Sequence, residues 1–137
     1  MSSSPDTFTT PPLTLSLAPE RLAIARLDAD AAFPVWAMHA EARLWSVTRT
    51  PDELSVVCED GAVPPSVERV ERPFRALRVD GPLPFDATGV VAGLTAPLAA
   101  AGIPVFVIAT FDTDWLLVRE EHLARAIESL STRFTVR

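Results

Sequence analysis

Short runs that alternate apolar and polar residues recur along the whole chain, and the second half is more regular than the first. Alternation with a period of two is typical of a half-buried strand. We expect the first two strands to form a hairpin about Ala18–Glu20, and only a short helical turn between Ala31 and Met38, which contain Pro34. The predicted strands are Leu13–Leu17, Arg21–Leu27, Leu44–Thr48, Glu53–Cys58, Phe74–Val79, Pro104–Ala109, Trp115–Val118 and Phe134–Val136.

Two helices are predicted in the second half, because apolar residues there are spaced three or four apart and so share one helical face. Asp86 or Thr88 can cap the first helix, and Gly102 fits a left-handed stop. Pro97 lies inside this helix, and Gly93, four residues earlier, can relieve the clash with its ring. The apolar faces consist of Val90, Val91, Leu94, Leu98 and Ala101 in the first helix, and of Leu123, Ala126, Ile127 and Leu130 in the second.

The order of elements from Phe74 onward is βαββαβ, and a weak internal repeat suggests an earlier copy of the same unit. At an offset of 62 residues, Thr48, Asp52, Leu54 and Val56 align with Thr110, Asp114, Leu116 and Val118. We therefore expect an α+β fold of two related halves with antiparallel sheets and helices on one face. Residues 1–11 are predicted to be a disordered arm, residues 12–71 a degenerate first half, and residues 72–137 a second half.

Composition excludes several function classes. The formal net charge is −6, and the 12 basic residues, all arginine, are scattered, which argues against nucleic-acid binding. The absence of lysine excludes Schiff-base and P-loop chemistry. No apolar run is long enough for a membrane span, and residues 1–12 lack the features of a signal peptide.

The residues that usually carry catalysis are few. Cys58 is the only cysteine, at the end of an apolar run, so we expect a buried thiol and a reducing cytoplasmic compartment. His39 and His122 are the only histidines, and with one cysteine they give no metal constellation. We expect no catalytic residues, no metal and no cofactor, although an exposed, reactive Cys58 would instead indicate a thiol-dependent enzyme.

The stretch from Gly81 to Val118 holds a candidate site for a small zwitterion. Backbone amides near Thr88, Gly89, Val90 and Val91 open a helix, where the helix dipole favours a carboxylate. Asp112 and Asp114 flank the following strand turn and could hold an ammonium group or a basic side chain, with Thr110 as an added donor. Structural readings stay open for each of them, because glycine also allows close packing, Asp is a common turn former and Thr is an ordinary strand residue.

The same stretch resembles the ACT domain, through Gly81–Phe85, Thr88–Ala92, Leu94–Leu98 and Gly102–Phe106. Thr48–Cys58 in the first half is similar to the same group, namely small stand-alone bacterial proteins with two ACT-like, ferredoxin-type halves. These proteins are related to the regulatory region of aspartate kinase and to the animal cytosolic arginine sensor. The resemblance covers roughly residues 12–136.

This resemblance implies binding of an amino acid between paired domains rather than catalysis. In the arginine-sensor branch the ligand backbone meets the helix start, here Gly89, Val90 and Val91, and an acid matching Asp114 reads the side chain or amine. Thr110 and Asp112 lie beside Asp114 by the same comparison. Some relatives carry an acid two residues before the glycine, and this chain has Ala87 there, so the identity of the ligand does not transfer.

The sequence therefore predicts a non-catalytic regulatory or sensor module that binds an amino acid or similar small metabolite. We expect a homodimer, because open sheet edges are usually covered, and no nucleic-acid or membrane partner; a regulated protein partner would be of unknown identity. The alternative is a structural or protein-interaction module of the same fold that has lost its ligand.

Overall fold

A computed structural model describes residues 13–39 and 41–137, so the predicted arm at residues 1–11 lies outside the described residues. The chain divides into two compact units, Glu20–Phe74 and a second one that combines Arg75–Arg137 with the residues up to Pro19. Its strands are β1 (Thr14–Leu17), β2 (Leu22–Leu27), β3 (Ser46–Arg49), β4 (Leu54–Glu59), β5 (Val70–Val79), β6 (Phe106–Ala109), β7 (Asp114–Arg119) and β8 (Thr135–Val136), and its helices are α1 (Val90–Ala100) and α2 (Leu123–Leu130).

The Glu20–Phe74 unit is built around β4, which pairs antiparallel with β2 and with β3. The first residues of β5 pair with β2 on its other side. A three-residue 3-10 turn, Val35–Ala37, follows the buried Pro34, as expected where a proline prevents a longer helix. The core of this unit contains Ala25, Ala37, Leu54, Val56 and Cys58.

The unit that contains Arg75–Arg137 has the predicted βαββαβ order, in β5, α1, β6, β7, α2 and β8. Strand β7 lies between β5 and β6, and β1 lies between β5 and β8. The pairing of β1 with β8 is parallel, although the pattern predicted antiparallel sheets throughout. The fold is α+β, as predicted.

The two helices pack against each other and bury one face of this unit's sheet. Helix α1 buries Val90, Leu94 and Leu98 of its predicted apolar face, and Gly93 in addition. Of the other predicted residues, Val91 is 41% exposed, and Ala101 is half-buried just past the end of the helix. Pro97 remains inside the helix. A proline ring crowds the carbonyl group four residues earlier, and the residue at that position is the buried Gly93. Gly102 ends the helix with φ at 73°, as predicted.

Three local predictions are wrong. Strands β1 and β2 do not form a hairpin, because β1 pairs with β5 and β8 while β2 pairs with β4 and β5. Strand β5 begins at Val70, before the predicted start at Phe74. Neither Asp86 nor Thr88 caps α1, since Gly89 occupies the cap position and no side chain bonds to it.

The internal repeat is present, but with an offset of 60 residues rather than 62. Ser46 pairs with Val57 in the first unit, and Phe106 pairs with Leu117 in the second. Each strand pair is joined by the same turn, closed by a bond from Thr50 N to Glu53 O (2.9 Å) in one unit and from Thr110 N to Thr113 O (2.8 Å) in the other. A two-residue error is easy to make in strands, because it leaves every side chain on the same face.

The division of the chain into related halves at residues 71 and 72 remains a prediction. In the structure the compact units divide after Pro19 and after Phe74, and β1 groups with the later residues rather than with the first half.

Candidate functional site

A cavity of about 420 Å³ lies within the unit that contains Arg75–Arg137, between the start of α1 and the turn that joins β6 to β7. This volume is in the range of small-molecule sites in proteins. Its lining consists of Leu83, Pro84, Phe85, Ala87, Gly89, Val90, Val91, Ala92 and the continuous run Ala109–Asp114.

The start of α1 supplies backbone donors to one wall of the cavity. Gly89 has φ at 78°, a left-handed conformation that favours glycine, and it forms the helix cap without any side-chain hydrogen bond. The first turn also contains no acidic residue. The first N–H groups of a helix have no partner within it and carry partial positive charge, so this wall is suited to a carboxylate.

Asp114 supplies a buried carboxylate to the same cavity. Only 8% of the residue is exposed, and burial raises the pKa of its carboxyl above the usual value. Within residues 13–39 and 41–137, the structure shows no hydrogen bond or ion pair to this side chain. At the matching position of the repeat stands Leu54, which is fully buried. The fold therefore holds a charge where its other copy holds an apolar residue.

The turn before β7 uses its hydroxyl groups internally. The Thr110 hydroxyl donates to Thr113 O at 2.8 Å, so its proton is not directed toward a ligand, contrary to the predicted donor role. The buried Thr113 hydroxyl donates to Val79 O at 2.7 Å and fixes the turn to β5. Asp112 is exposed at the rim of the cavity.

Six of the seven predicted site residues line the cavity: Gly89, Val90, Val91, Thr110, Asp112 and Asp114. Thr88 is exposed and does not line it. The structure thus brings the helix start and the acidic turn together, although whether any of these residues binds a ligand stays a prediction.

Two aromatic residues at the cavity were missed by the sequence reasoning. Phe85 and Phe111 are 74% and 78% exposed, and their ring centroids lie 5.2 Å apart with the planes tilted by 35°. A usable signal was present, since each is a large apolar side chain within a turn-like run of Pro, Asp and Thr. Such residues in loops more often mark contacts than core.

The loop that carries Phe85 is tied to the rest of the site by backbone bonds. Leu83 N donates to Asp112 O at 2.8 Å, and a side chain at Gly81 would approach Leu83 N to 3.0 Å. At the beginning of the loop, the Asp80 carboxylate accepts hydrogen bonds from Ser16 (2.8 Å) and from Arg137 (2.7 Å). Both bonds lower the pKa of Asp80, and the bond from Ser16 has the larger effect.

The Cys58 thiol and the possible metal ligands of the described residues do not form a catalytic or metal site. Cys58 is buried, and desolvation raises its pKa to about 11, so the thiolate needed for nucleophilic attack is disfavoured. Among the described residues no group of three or more His, Cys, Asp or Glu could hold a metal ion. No helix in the described part of the chain is long and apolar enough to cross a membrane.

Comparison with known proteins agrees with the fold. A family model described as an ACT domain matches residues 69–132, and a second model, described as an N-terminal domain, matches residues 20–66. The human cytosolic arginine sensor for mTORC1 subunit 1 is 44% identical over 61 residues, which are 44% of this chain and 18% of the sensor. The chain therefore matches less than one fifth of the length of that curated relative.

Two solved structures are similar to this chain over most of its length. A protein from Agrobacterium tumefaciens is 38% identical, with 93% of this chain and 94% of that chain covered and a TM-score of 0.84. The regulatory subunit of aspartate kinase from Thermus thermophilus, in a ligand-free form, is 14% identical, with 87% and 96% covered and a TM-score of 0.61, and this likeness shows the fold alone. Residues 69–132 therefore belong to the ACT-domain family, as the resemblance in the sequence predicted.

Proposed function

We propose that this chain is a non-catalytic, cytoplasmic regulatory module that binds a free amino acid in the cavity at the start of α1. The single observation that carries the proposal is the buried, unpartnered carboxylate of Asp114 in the same cavity as an uncapped helix start. A buried charge without a partner costs stability, so its presence at a position that accepts leucine in the repeat favours a function for it.

The two charged groups of an amino acid fit the two polar walls. The α-carboxylate would accept hydrogen bonds from the backbone amides that follow Gly89, where the helix dipole favours a negative charge. The α-ammonium would pair with Asp114, which would then regain the favourable contacts that burial removes. Both walls belong to one compact unit, so a single chain can supply them.

The relatives support the same class of function. One is named as an arginine sensor and another as a regulatory subunit of aspartate kinase. A ligand in this cavity would regulate by favouring one conformational state or one partner complex, and by no more than its difference in affinity for the two states.

Titration calorimetry with the twenty amino acids, on the chain itself and on Asp114→Asn, tests the proposal. Asn keeps the shape of the side chain but removes the charge, so we expect at least one amino acid to bind the unsubstituted chain and to bind the variant at least tenfold more weakly. Absence of binding by all twenty in the micromolar to millimolar range would contradict the proposal. A matched control is Asp52→Asn in the corresponding turn of the repeat, which should leave the affinity unchanged.

A homodimer is part of the proposal. Among the strands of the described residues, β6 pairs with β7 alone, and its four residues, Phe, Val, Ile and Ala, include no charge or proline to discourage pairing with another strand. A second copy would cover this edge. Sedimentation equilibrium should give twice the chain mass, and Val107→Lys, which places a charge on β6, should shift the protein toward the monomer.

A second candidate is an interaction module of the same fold without a ligand. The first unit favours it in one respect, because that unit keeps the same turn with Leu54 in place of an acid. In that case Asp114→Asn would change only the stability of the protein, and no amino acid would raise its melting temperature, whereas a true ligand stabilises the folded state by mass action.

A further inference from the structure

The cavity has a third wall that the charged groups of an amino acid would not use. Beyond the helix amides and Asp114, this wall is apolar, and it contains Leu83, Pro84, Phe85 and Phe111. No arginine or histidine is among the described residues that line the cavity, and the chain has no lysine. An acidic ligand side chain would therefore meet carboxylates without any balancing cation.

The two phenylalanine rings form a pair in the lining of the cavity. Their ring centroids lie 5.2 Å apart, and the backbone hydrogen bond from Leu83 N to Asp112 O (2.8 Å) holds their loops together. Each ring is more than 70% exposed, so both retain apolar surface that a ligand side chain could cover. Removing such surface from water is the general source of affinity for apolar groups.

A basic side chain is the main competitor, because Asp112 lies on the rim. This carboxylate is exposed, and exposed ion pairs contribute little since water and salt screen them. Ala87, which also lines the cavity, offers no carboxylate. If Asp114 holds the α-ammonium, no buried acid among the lining residues remains to hold a second positive charge.

We propose that the ligand is an α-amino acid with an apolar side chain, and that the Phe85–Phe111 pair is the surface that selects it. This inference rests on the proposed function of the same cavity. It differs from the basic amino acid named for the animal sensor, and it follows from the lining of this chain alone.

Calorimetry with glycine, leucine, phenylalanine, arginine and lysine tests the selection of apolar side chains separately from the existence of the amino-acid site. We expect leucine or phenylalanine to bind about tenfold more tightly than glycine, and arginine to bind no more tightly than leucine. Tighter binding of arginine or lysine, or equal binding of leucine and glycine, would overturn the selection by apolar side chains and leave the amino-acid site standing. If none of the twenty amino acids binds, both the amino-acid site and its preference for apolar side chains are contradicted.

Two surface variants assign the effect to the aromatic pair. Phe85→Ala should reduce the preference for leucine over glycine about tenfold, because only leucine has a side chain that can cover the ring. The ring is exposed, so the fold should tolerate the change. The matched control is Phe33→Ala: Phe33 is 48% exposed and stacks edge-on with Trp45 at 6.5 Å, but it does not line the cavity. An equal loss of leucine preference in both variants would overturn the assignment.

A third variant adds the missing acid. Ala87→Asp places a carboxylate on the apolar side of the cavity, and we expect the affinity for arginine to rise severalfold while that for leucine falls. If arginine affinity does not change, position 87 does not face the ligand side chain, and the selective wall has been placed wrongly.

Discussion

At the scale of the residue, Asp114 and Leu54 show what the same position does with and without a charge. Both residues begin the inner strand of a strand pair, both follow a Thr-closed turn, and both are buried. Leucine at this place only fills the core. Aspartate loses hydration there without gaining a partner, which raises its pKa and lowers the stability of the folded state.

Replacing Asp114 by the residue of its own repeat should therefore separate stability from binding. We expect Asp114→Leu to raise the free energy of unfolding by about 1–3 kcal/mol, the usual cost of an unsatisfied buried polar group. The same variant should lose amino-acid binding. Urea denaturation and calorimetry measure the two effects, and a destabilised variant would show that the carboxylate has a structural partner.

The difference in stability between Asp114→Leu and the unsubstituted chain should depend on pH in a defined direction. Burial raises the pKa of Asp114 in the folded state, so its penalty is fully present above that raised pKa and declines as the pH falls toward 3.8, the ordinary value. Asp80 acts in the opposite direction, because its lowered pKa gives stability that is lost in more acidic solution. The advantage of Asp114→Leu should thus shrink between pH 7 and about pH 4, and a constant advantage would argue against the charge as its cause.

At the scale of the element, α1 is bounded by two glycines with nearly the same conformation. Gly89 has φ at 78° at the end that faces the cavity, and Gly102 has φ at 73° at the other end. A side chain is strained at either place by roughly 1–2 kcal/mol. No atom lies within 4 Å of a Cβ added at Gly102, so strain is the only cost there.

This symmetry provides a matched pair of variants. Gly89→Ala and Gly102→Ala should each lower the free energy of unfolding by roughly 1–2 kcal/mol, but only Gly89→Ala should also weaken amino-acid binding. Chemical denaturation and calorimetry on both proteins test this. Equal affinities in the two variants would show that the helix start does not contact the ligand.

The elements themselves were largely predictable, and their partners were not. Local patterns located the strands of the described residues, because a strand buried on one face leaves a period of two in the sequence and a strand buried on both faces leaves a short apolar run. The start of β5 at Val70 was missed, since Pro64, Pro65 and the charged residues before it indicate a loop. The false hairpin of β1 and β2 has a different cause: a strand's pattern records which face is buried but not which strand lies beside it.

The candidate site was predictable in its polar part only. Gly89 and Asp114 were recognised because a helix start and an acid at a strand start have an evident chemistry. Thr88 was included and Phe85 omitted, since the exact end of a helix and the contact between two loops depend on tertiary structure. The Leu83–Asp112 bond that joins these loops leaves no signal in the sequence.

At the scale of the whole molecule, the two units keep one turn and differ in what surrounds it. The unit with Asp114 has an eleven-residue helix beside the turn, whereas the first unit has the three-residue turn Val35–Ala37 before its corresponding strands. Within its described residues, the first unit has neither the long helix start nor the acid that form the two polar walls in the other unit, so the proposed site has no counterpart there.

The stoichiometry of binding follows from this difference. Calorimetry should give one amino acid per chain, and hence two in a homodimer. A variant of the first unit, Leu54→Asp, should be destabilised by about 2 kcal/mol or more because it buries a charge without a helix start opposite, and it should not gain a second site. Two ligands per unsubstituted chain would contradict the assignment.

The parallel pairing of β1 with β8 has a consequence for how the protein is made. These strands come from early and late parts of the chain, with Thr14 opposite Thr135 and Leu15 opposite Val136. During synthesis β1 leaves the ribosome first and must wait for β5 and β8, so the unit that contains the cavity cannot close until translation has passed Val136. The Glu20–Phe74 unit, whose strands are all close in sequence, can fold well before then, and the unit that contains the cavity is completed last.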